Sequence, residues 1–217
     1  MFKYSKISQY KIKKILRCFC EDLPATKTAG ILSLNRKTID HYYNLFREKI
    51  AHASMKEMEV IAGEIEIDES YFGAKRVRGK RGRGAAGKTP VFGLLKRNGK
   101  VFVTVVKNCS KEELMPIITG CVLEGSTIHS DGWKAYDGLL LNGYDHYRVF
   151  HSANEFARGK SHVNGIEAFW SFAKRRLAKF NGIQSHKFNL YLKECEFRFN
   201  YRDSNFFDKM LIVIQDF

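Results

Sequence analysis

Residues 60–72 read VIAGEIEIDESYF, and the sixteen residues that follow, 73–88, read GAKRVRGKRGRGAAGK. In the first stretch apolar and polar residues alternate, the pattern of a β-strand with one face buried. The strand carries Asp68 and Glu69 near its end and then runs into a Gly-rich segment holding seven Lys or Arg and no acid. Such a segment predicts a loop. Downstream, apolar runs at 91–96 and 100–106 flank the turn Arg97-Asn98-Gly99 and predict two further strands paired as a hairpin. A helical pattern follows over 110–119, with Ser110 placed to cap it. The segment 127–129 predicts a strand that delivers Asp131, 133–140 a helix, and 144–150 a short strand. Helices are expected at 163–180 and 188–200, and the apolar residues 206–217 close the chain with a last short element.

Three strands, a helix, a strand, a helix, a strand and closing helices predict an α/β protein: an RNase H-like mixed sheet flanked by helices on both faces. Upstream of the first strand the texture is different. Apolar positions Ile12, Ile15, Leu16 and Phe19 recur at helical spacing over 10–21, Leu23-Pro24 breaks the run, a short helix is expected over 25–32, and a third over 36–50 buries Ile39, Tyr42, Tyr43 and Phe46. Three short helices with the tight turn Ser33-Leu34-Asn35 before the last one are helix-turn-helix-like. The third opens on Arg36, Lys37 and Thr38, a polar and basic start suited to a DNA major groove. The expected division is a DNA-binding helical domain over 1–57 and a catalytic domain with its C-terminal helices over 58–217.

The net charge of +14 predicts a polyanionic partner, and nucleic acid fits the clustering of Arg76, Arg78, Lys80, Arg81 and Arg83 in one loop. No apolar run approaches the roughly 20 residues that cross a bilayer, so no membrane is expected. The opening MFKYSKISQYKIKKIL is basic without an apolar stretch, unlike a secretory signal. The cytoplasm is the expected compartment, with the chain on the nucleoid when bound to DNA. Five scattered cysteines with no Cys-x-x-Cys pair support neither a disulfide framework nor a zinc ribbon.

Three acids stand where metal-dependent phosphodiester chemistry needs them, on separate elements that can converge on two divalent ions. Asp68 sits near the end of the first strand, Asp131 follows the fourth, and Glu167 lies early in the 163–180 helix, with 35 residues between it and Asp131. Each has an ordinary alternative. Asp68 could be a turn acid, Asp131-Gly132 a turn dipeptide, and Asn164 with Glu167 a capping box. Lys174 follows Glu167 by two helical turns and so shares its face. Ile166, Phe169, Trp170, Ala173 and Leu177 form the opposite, core-facing stripe. Glu66 and Glu69 are outside candidates. Among His129, His151 and His162, the last is the one best placed to touch scissile DNA.

The spacing of the three acids and of Lys174, together with the segments IDESYFG, GKRGRGAAGKTPVFGLLKR, SDGWKAY, HVNGIEAFWSFAKRRL and LKECEFRFNYR, resembles the small bacterial ISXO-like insertion-sequence transposases, within the DDE transposases and retroviral-type integrases. The resemblance covers residues 60–202. It implies Asp68, Asp131 and Glu167 as ligands of two Mg²⁺ ions, for which Mn²⁺ can substitute, with cleavage at transposon terminal inverted repeats and strand transfer of the 3′-OH into target DNA. In that group Asn also occurs as the functional third residue, and this chain offers both Asn164 and Glu167; a carboxylate is the better ligand for Mg²⁺. Lys174 and Arg175 join the expected DNA-binding residues, and a homo-oligomer that pairs two DNA ends is implied. An RNase H-like nuclease or resolvase, and a noncatalytic DNA-binding remnant of a transposase, are the alternatives.

Overall fold

A computed structural model of the chain describes residues 5–57, 60–73, 87–131, 136, 138–149 and 163–215. In chain order its elements are α1 (Gln9–Cys20), α2 (Ala25–Leu32), α3 (Arg36–Lys56), β1 (Glu64–Phe72), β2 (Thr89–Lys96), β3 (Val101–Val105), α4 (Lys111–Cys121), β4 (Thr127–Asp131), β5 (Asp145–Val149), α5 (Asn164–Ala178), α6 (Phe188–Asn200) and α7 (Phe206–Gln215). They form two compact units, one of Met58–Ile183 and one that joins Met1–Glu57 to Gln184–Phe217.

The first unit is an α/β sandwich around a single sheet of order β3-β2-β1-β4-β5. β1, β2 and β3 form an antiparallel meander, while β4 and β5 continue the sheet parallel to β1. This is the mixed sheet of an RNase H-like fold. The alternation in β1 sorts its two faces. Ile65 and Ile67 join Leu114, Met115 and Ile118 of α4 in one apolar core. Glu66, Asp68 and Phe72 lie on the other face, against α5, whose Ile166, Phe169, Trp170, Ala173 and Leu177 are buried as the helical stripe requires.

Of the helix expected over 133–140, residues 133–135 and 137 lie outside the described residues, and the rest form no α-helix. Tyr136 has 3-10 conformation, Gly138 and Leu139 make turns, and a 3-10 turn at Leu140–Asn142 ends on Gly143 with φ 78°. Two glycines within six residues disfavour an α-helix, and the Asn142 side chain donates to the Gly138 carbonyl at 2.7 Å, closing a turn instead.

In the second unit, Ile12, Ile15, Leu16 and Phe19 of α1 meet Ile39, Tyr42, Phe46 and Ile50 of α3, and Phe197, Met210, Val213 and Ile214 of α6 and α7 complete the same core. The C-terminal helices therefore belong to one unit with the N-terminal ones, where the expected 58–217 domain had placed them with the sheet. Their apolar faces are readable locally; the face that receives them is set by the three-dimensional arrangement. α2 and α3 are joined by three residues, with Ser33 in the left-handed region (φ 50°) and the Asn35 side chain capping α3 by accepting from the Lys37 N–H at 2.8 Å. α3 itself runs six residues past the expected end at 50, because Ala53 and Ser54 extend its packed face.

Candidate active site

β1 and β4 are parallel neighbours at the middle of the sheet, and the register that sets Glu66 beside His129 carries Asp68 to the level of Asp131, two residues further along each strand. Partners at one level of a parallel pair project to the same face. The two acids therefore stand side by side, Asp68 in the middle of β1 and Asp131 at the C-terminal end of β4, on the face covered by α5. α5 supplies the third acid. Its residues Asn164, Glu167, Ser171, Lys174 and Arg175 are exposed, at intervals of three and four that make one stripe along the helix.

The electrostatics tie the three acids together. The Asp68 carboxyl is pushed up from 3.8 to about 6, first by burial and then by the negative charges of Asp131 and Glu167, against hydrogen bonds from the Glu69 amide and the Trp170 indole. Glu69, on the opposite face of β1, is pushed up to about 7 by burial and by the charges of Asp68 and Asp131, while its hydrogen bond with Tyr136 works the other way. Tyr136, fully buried, donates its hydroxyl to that Glu69 carboxylate. Trp170 Nε1 donates to Asp68 Oδ2 at 3.0 Å, so the helix bearing Glu167 is pinned to the strand bearing Asp68. Close approach of helix and strand needs Gly93, the β2 partner of Asp68: a Cβ there would come within 2.7 Å of the Trp170 ring.

A group of neighbouring carboxylates is a donor set suited to a hard divalent cation, which takes oxygen ligands and retains water. Among the described residues no trio of His, Cys, Asp or Glu is drawn together as a ready-made cation cluster. Asp68 feels the charges of Asp131 and Glu167, and side-chain rotation would have to close the three around an ion. The donor chemistry fits; the side-chain arrangement is open.

The capping-box alternative for Asn164 and Glu167 is not what the structure forms. Asn164 is the first residue of α5, the cap position falls on Val163, and no side chain there caps the helix. The carboxylate of Glu66 takes that place by accepting the Ile166 N–H at 2.9 Å. His129 is buried, with Nε2 3.4 Å from Glu64 Oε2 and its ring stacked on Tyr147. Burial and the charge of Arg97 lower its pKa, against the carboxylates of Glu64 and Glu66. Lys174 lies over the ring of Phe72, at the end of β1, with Nζ 5.8 Å from the centroid. Arg36, Lys37 and Thr38 are in the helical unit, the first two exposed. Arg76, Arg78, Lys80, Arg81 and Arg83, and with them His151 and His162, lie outside the described residues. Sequence reasoning missed Trp170 as a partner of Asp68 and Glu66 as a cap. A glycine inside an apolar strand, here Gly93, is the signal of close approach that pointed to the first.

A family model for the ISXO2-like transposase domain matches residues 60–200. The chain belongs to the ISXO2-like transposase family. The match begins just before β1 and ends at the last residue of α6, so it includes Asp68, Asp131 and Glu167. An uncharacterized transposase-like protein of Haemophilus influenzae is 46% identical over 101 residues, which is 46% of this chain and 81% of that protein. An uncharacterized protein in transposable element ISH50 of Halobacterium salinarum is 31% identical over 154 residues, 64% of this chain and 52% of that one. Among solved structures, a simian T-cell lymphotropic virus intasome aligns over 62% of this chain and 47% of its own, with 11% identity and a TM-score of 0.40. A Mos1 transposase paired-end complex with left transposon end aligns over 98% and 81%, with 8% identity and a TM-score of 0.32.

Proposed function

We propose that this transposase-family chain cuts the ends of an insertion sequence and transfers the freed 3′-OH into target DNA, with Asp68, Asp131 and Glu167 as the ligands of two divalent ions, Mg²⁺ or in its place Mn²⁺. The observation that carries the reading is placement: the register of β1 and β4 brings Asp68 level with Asp131, and the Trp170 indole ties the helix that bears Glu167 to Asp68. Held by the acids, paired divalent ions supply activation of the attacking oxygen and neutralisation of the leaving one in an in-line displacement at phosphorus. The protein's own part is placement. The Trp170 indole fixes the orientation of Asp68, and β4 holds Asp131 beside it. Asn164 shares the exposed stripe of Glu167, where it can orient the substrate or stand in as the third ligand. Lys174 and Arg175, exposed about two turns further along α5, are placed to take backbone phosphates, and the basic residues of 73–88 extend that grip.

End recognition belongs, in this reading, to the helical unit. α3 presents exposed Arg36 and Lys37, with Thr38 after them, at its capped start, the geometry of a recognition helix entering a major groove. The partners are the element's terminal inverted repeats and the target DNA, with a homo-oligomer pairing two ends, in the cytoplasm on the nucleoid. The test assays end cleavage and strand transfer separately on labelled terminal DNA with Mg²⁺. Both activities are expected in the wild type and neither in Asp68→Asn, with DNA retention unchanged. Cleavage without joining would identify a nuclease or resolvase, and retention without cleavage a DNA-binding remnant.

A further inference from the structure

We propose that Glu66 is a positioning residue for the third acid: its buried carboxylate clamps the first turn of α5 to β1 and so sets where Glu167 stands relative to Asp68 and Asp131. The inference rests on the reading that these three acids hold metal together.

The first amides of any helix lack intrahelical acceptors and sit at the positive end of the helix dipole. α5 has no side-chain cap from its own cap residue. Glu66, 1% exposed, fills that need from another element. Its Oε2 accepts the Ile166 N–H at 2.9 Å, and its Oε1 accepts Arg97 Nε at 3.1 Å. Arg97, in the turn between β2 and β3, also pairs with Glu64. A buried carboxylate is thus bonded at both oxygens, one to a helix terminus and one to a guanidinium, the charge-assisted arrangement that holds geometry most firmly.

The fit leaves no slack. Gly165 is pressed so closely that a Cβ would come 2.9 Å from Glu66 Oε2 and 2.4 Å from Leu95 Cδ2. The second anchor, Trp170 on Asp68, lies two residues further on β1 and four further on α5. Two strand residues span about 6.6 Å and four helical residues about 6 Å, so the two anchors match along both elements. Glu167 lies between them, one residue after the first. Whatever releases Glu66 frees the end of α5 that carries Glu167, while Asp68 and Asp131 stay on their strands.

The test is Mn²⁺ binding to the full-length, DNA-free protein by calorimetry, combined with hydrogen exchange of the α5 amides in the metal-free protein. Glu66→Ala is expected to weaken Mn²⁺ binding about 10–100-fold, the range for residues that orient metal ligands, and to strip protection from the first turn of α5 while the strand amides keep theirs. Glu66→Gln keeps an acceptor for the Ile166 N–H but not the charge facing Arg97. It is expected to fold and to bind Mn²⁺ more weakly than wild type but more tightly than Glu66→Ala. Should Glu66→Ala fail to fold, Glu66→Gln decides alone. Wild-type Mn²⁺ affinity in the folded Glu66 variants, with Asp68→Asn and Glu167→Gln both impaired, would overturn the positioning role. If Asp68→Asn and Glu167→Gln also bind Mn²⁺ as wild type does, the three-acid reading itself falls.

Discussion

Glu194 in the helical unit and Asp68 in the sheet unit are both carboxylates withdrawn from water, and they meet opposite company. Glu194, with none of its surface exposed, accepts Arg47 Nε at 2.8 Å on one oxygen and Arg198 Nε at 2.9 Å on the other. Arg47 also lies 3.9 Å above the ring of Tyr191. Arg198 goes on to donate to the carbonyls of Phe19 and Cys20 at the end of α1. One acid and two guanidiniums thereby join α1, α3 and α6. Asp68 instead has Asp131 and Glu167 for neighbours, and their charges add to burial in raising its pKa. A buried charge surrounded by its opposite holds a structure together. One surrounded by its own sign lowers stability until a cation arrives, and so marks a place for chemistry.

The contrast is sharpest under charge removal. Asp68→Asn or Asp131→Asn should reduce end cleavage below detection while raising the Tm of the metal-free protein, since a like charge leaves the cluster and the Asn carbonyl at 68 can still accept from Trp170. A lowered Tm in Asp68→Asn would break the comparison at its central point. Glu194→Gln should do the reverse: breaking a buried ion pair costs about 3–5 kcal/mol, read by urea or thermal unfolding, and Mn²⁺ affinity should not change. Next in size is Gly93→Ala. Its methyl meets the Trp170 ring, and overpacking of that kind costs about 1–3 kcal/mol, accompanied by a loss of cleavage as α5 is pushed off β1.

The smallest effect is on pH dependence. The Asp68 carboxyl is raised to about 6 in the folded protein, so the folded state holds its proton longer than the unfolded chain does. Its contribution to stability is full below the unfolded value near 4 and is lost as pH rises through 6. After solvent screening that amounts to roughly 1–2 kcal/mol. Metal-free wild type should therefore lose stability between pH 4 and 6 relative to Asp68→Asn, and parallel profiles for the two would show that neither burial nor the neighbouring acids raise the Asp68 carboxyl.

The comparison also explains which parts were legible in the sequence. α2 and α6 have the bounds that periodicity predicts, because each has a clear break at both ends. The acids were legible as separated carboxylates at the ends of strands and on a helix face, and their spacing carried the family resemblance. Glu66 was not legible as a cap, since its partner amide lies a hundred residues away and nothing local marks it. Asn164 and Glu167 show the converse: a capping-box spacing that is locally sound yet gives way to a stronger acceptor brought in by the sheet. Nor could helical periodicity say that α6 and α7 join α1–α3, because an apolar face does not name the surface that will cover it.

That last packing has a consequence for how the chain is made. Residues 58–183, which carry all three acids, are contiguous, whereas the helical unit begins before them and is completed after them. Ribosomes add about 5–20 residues per second, so α1–α3 wait on the order of ten seconds or more with part of their core uncovered before α6 and α7 emerge. The sheet can fold in that interval. A gene copy shortened at its 3′ end, even one that keeps the codons for Asp68, Asp131 and Glu167, would yield a protein whose first three helices never receive Phe197, Met210, Val213 and Ile214.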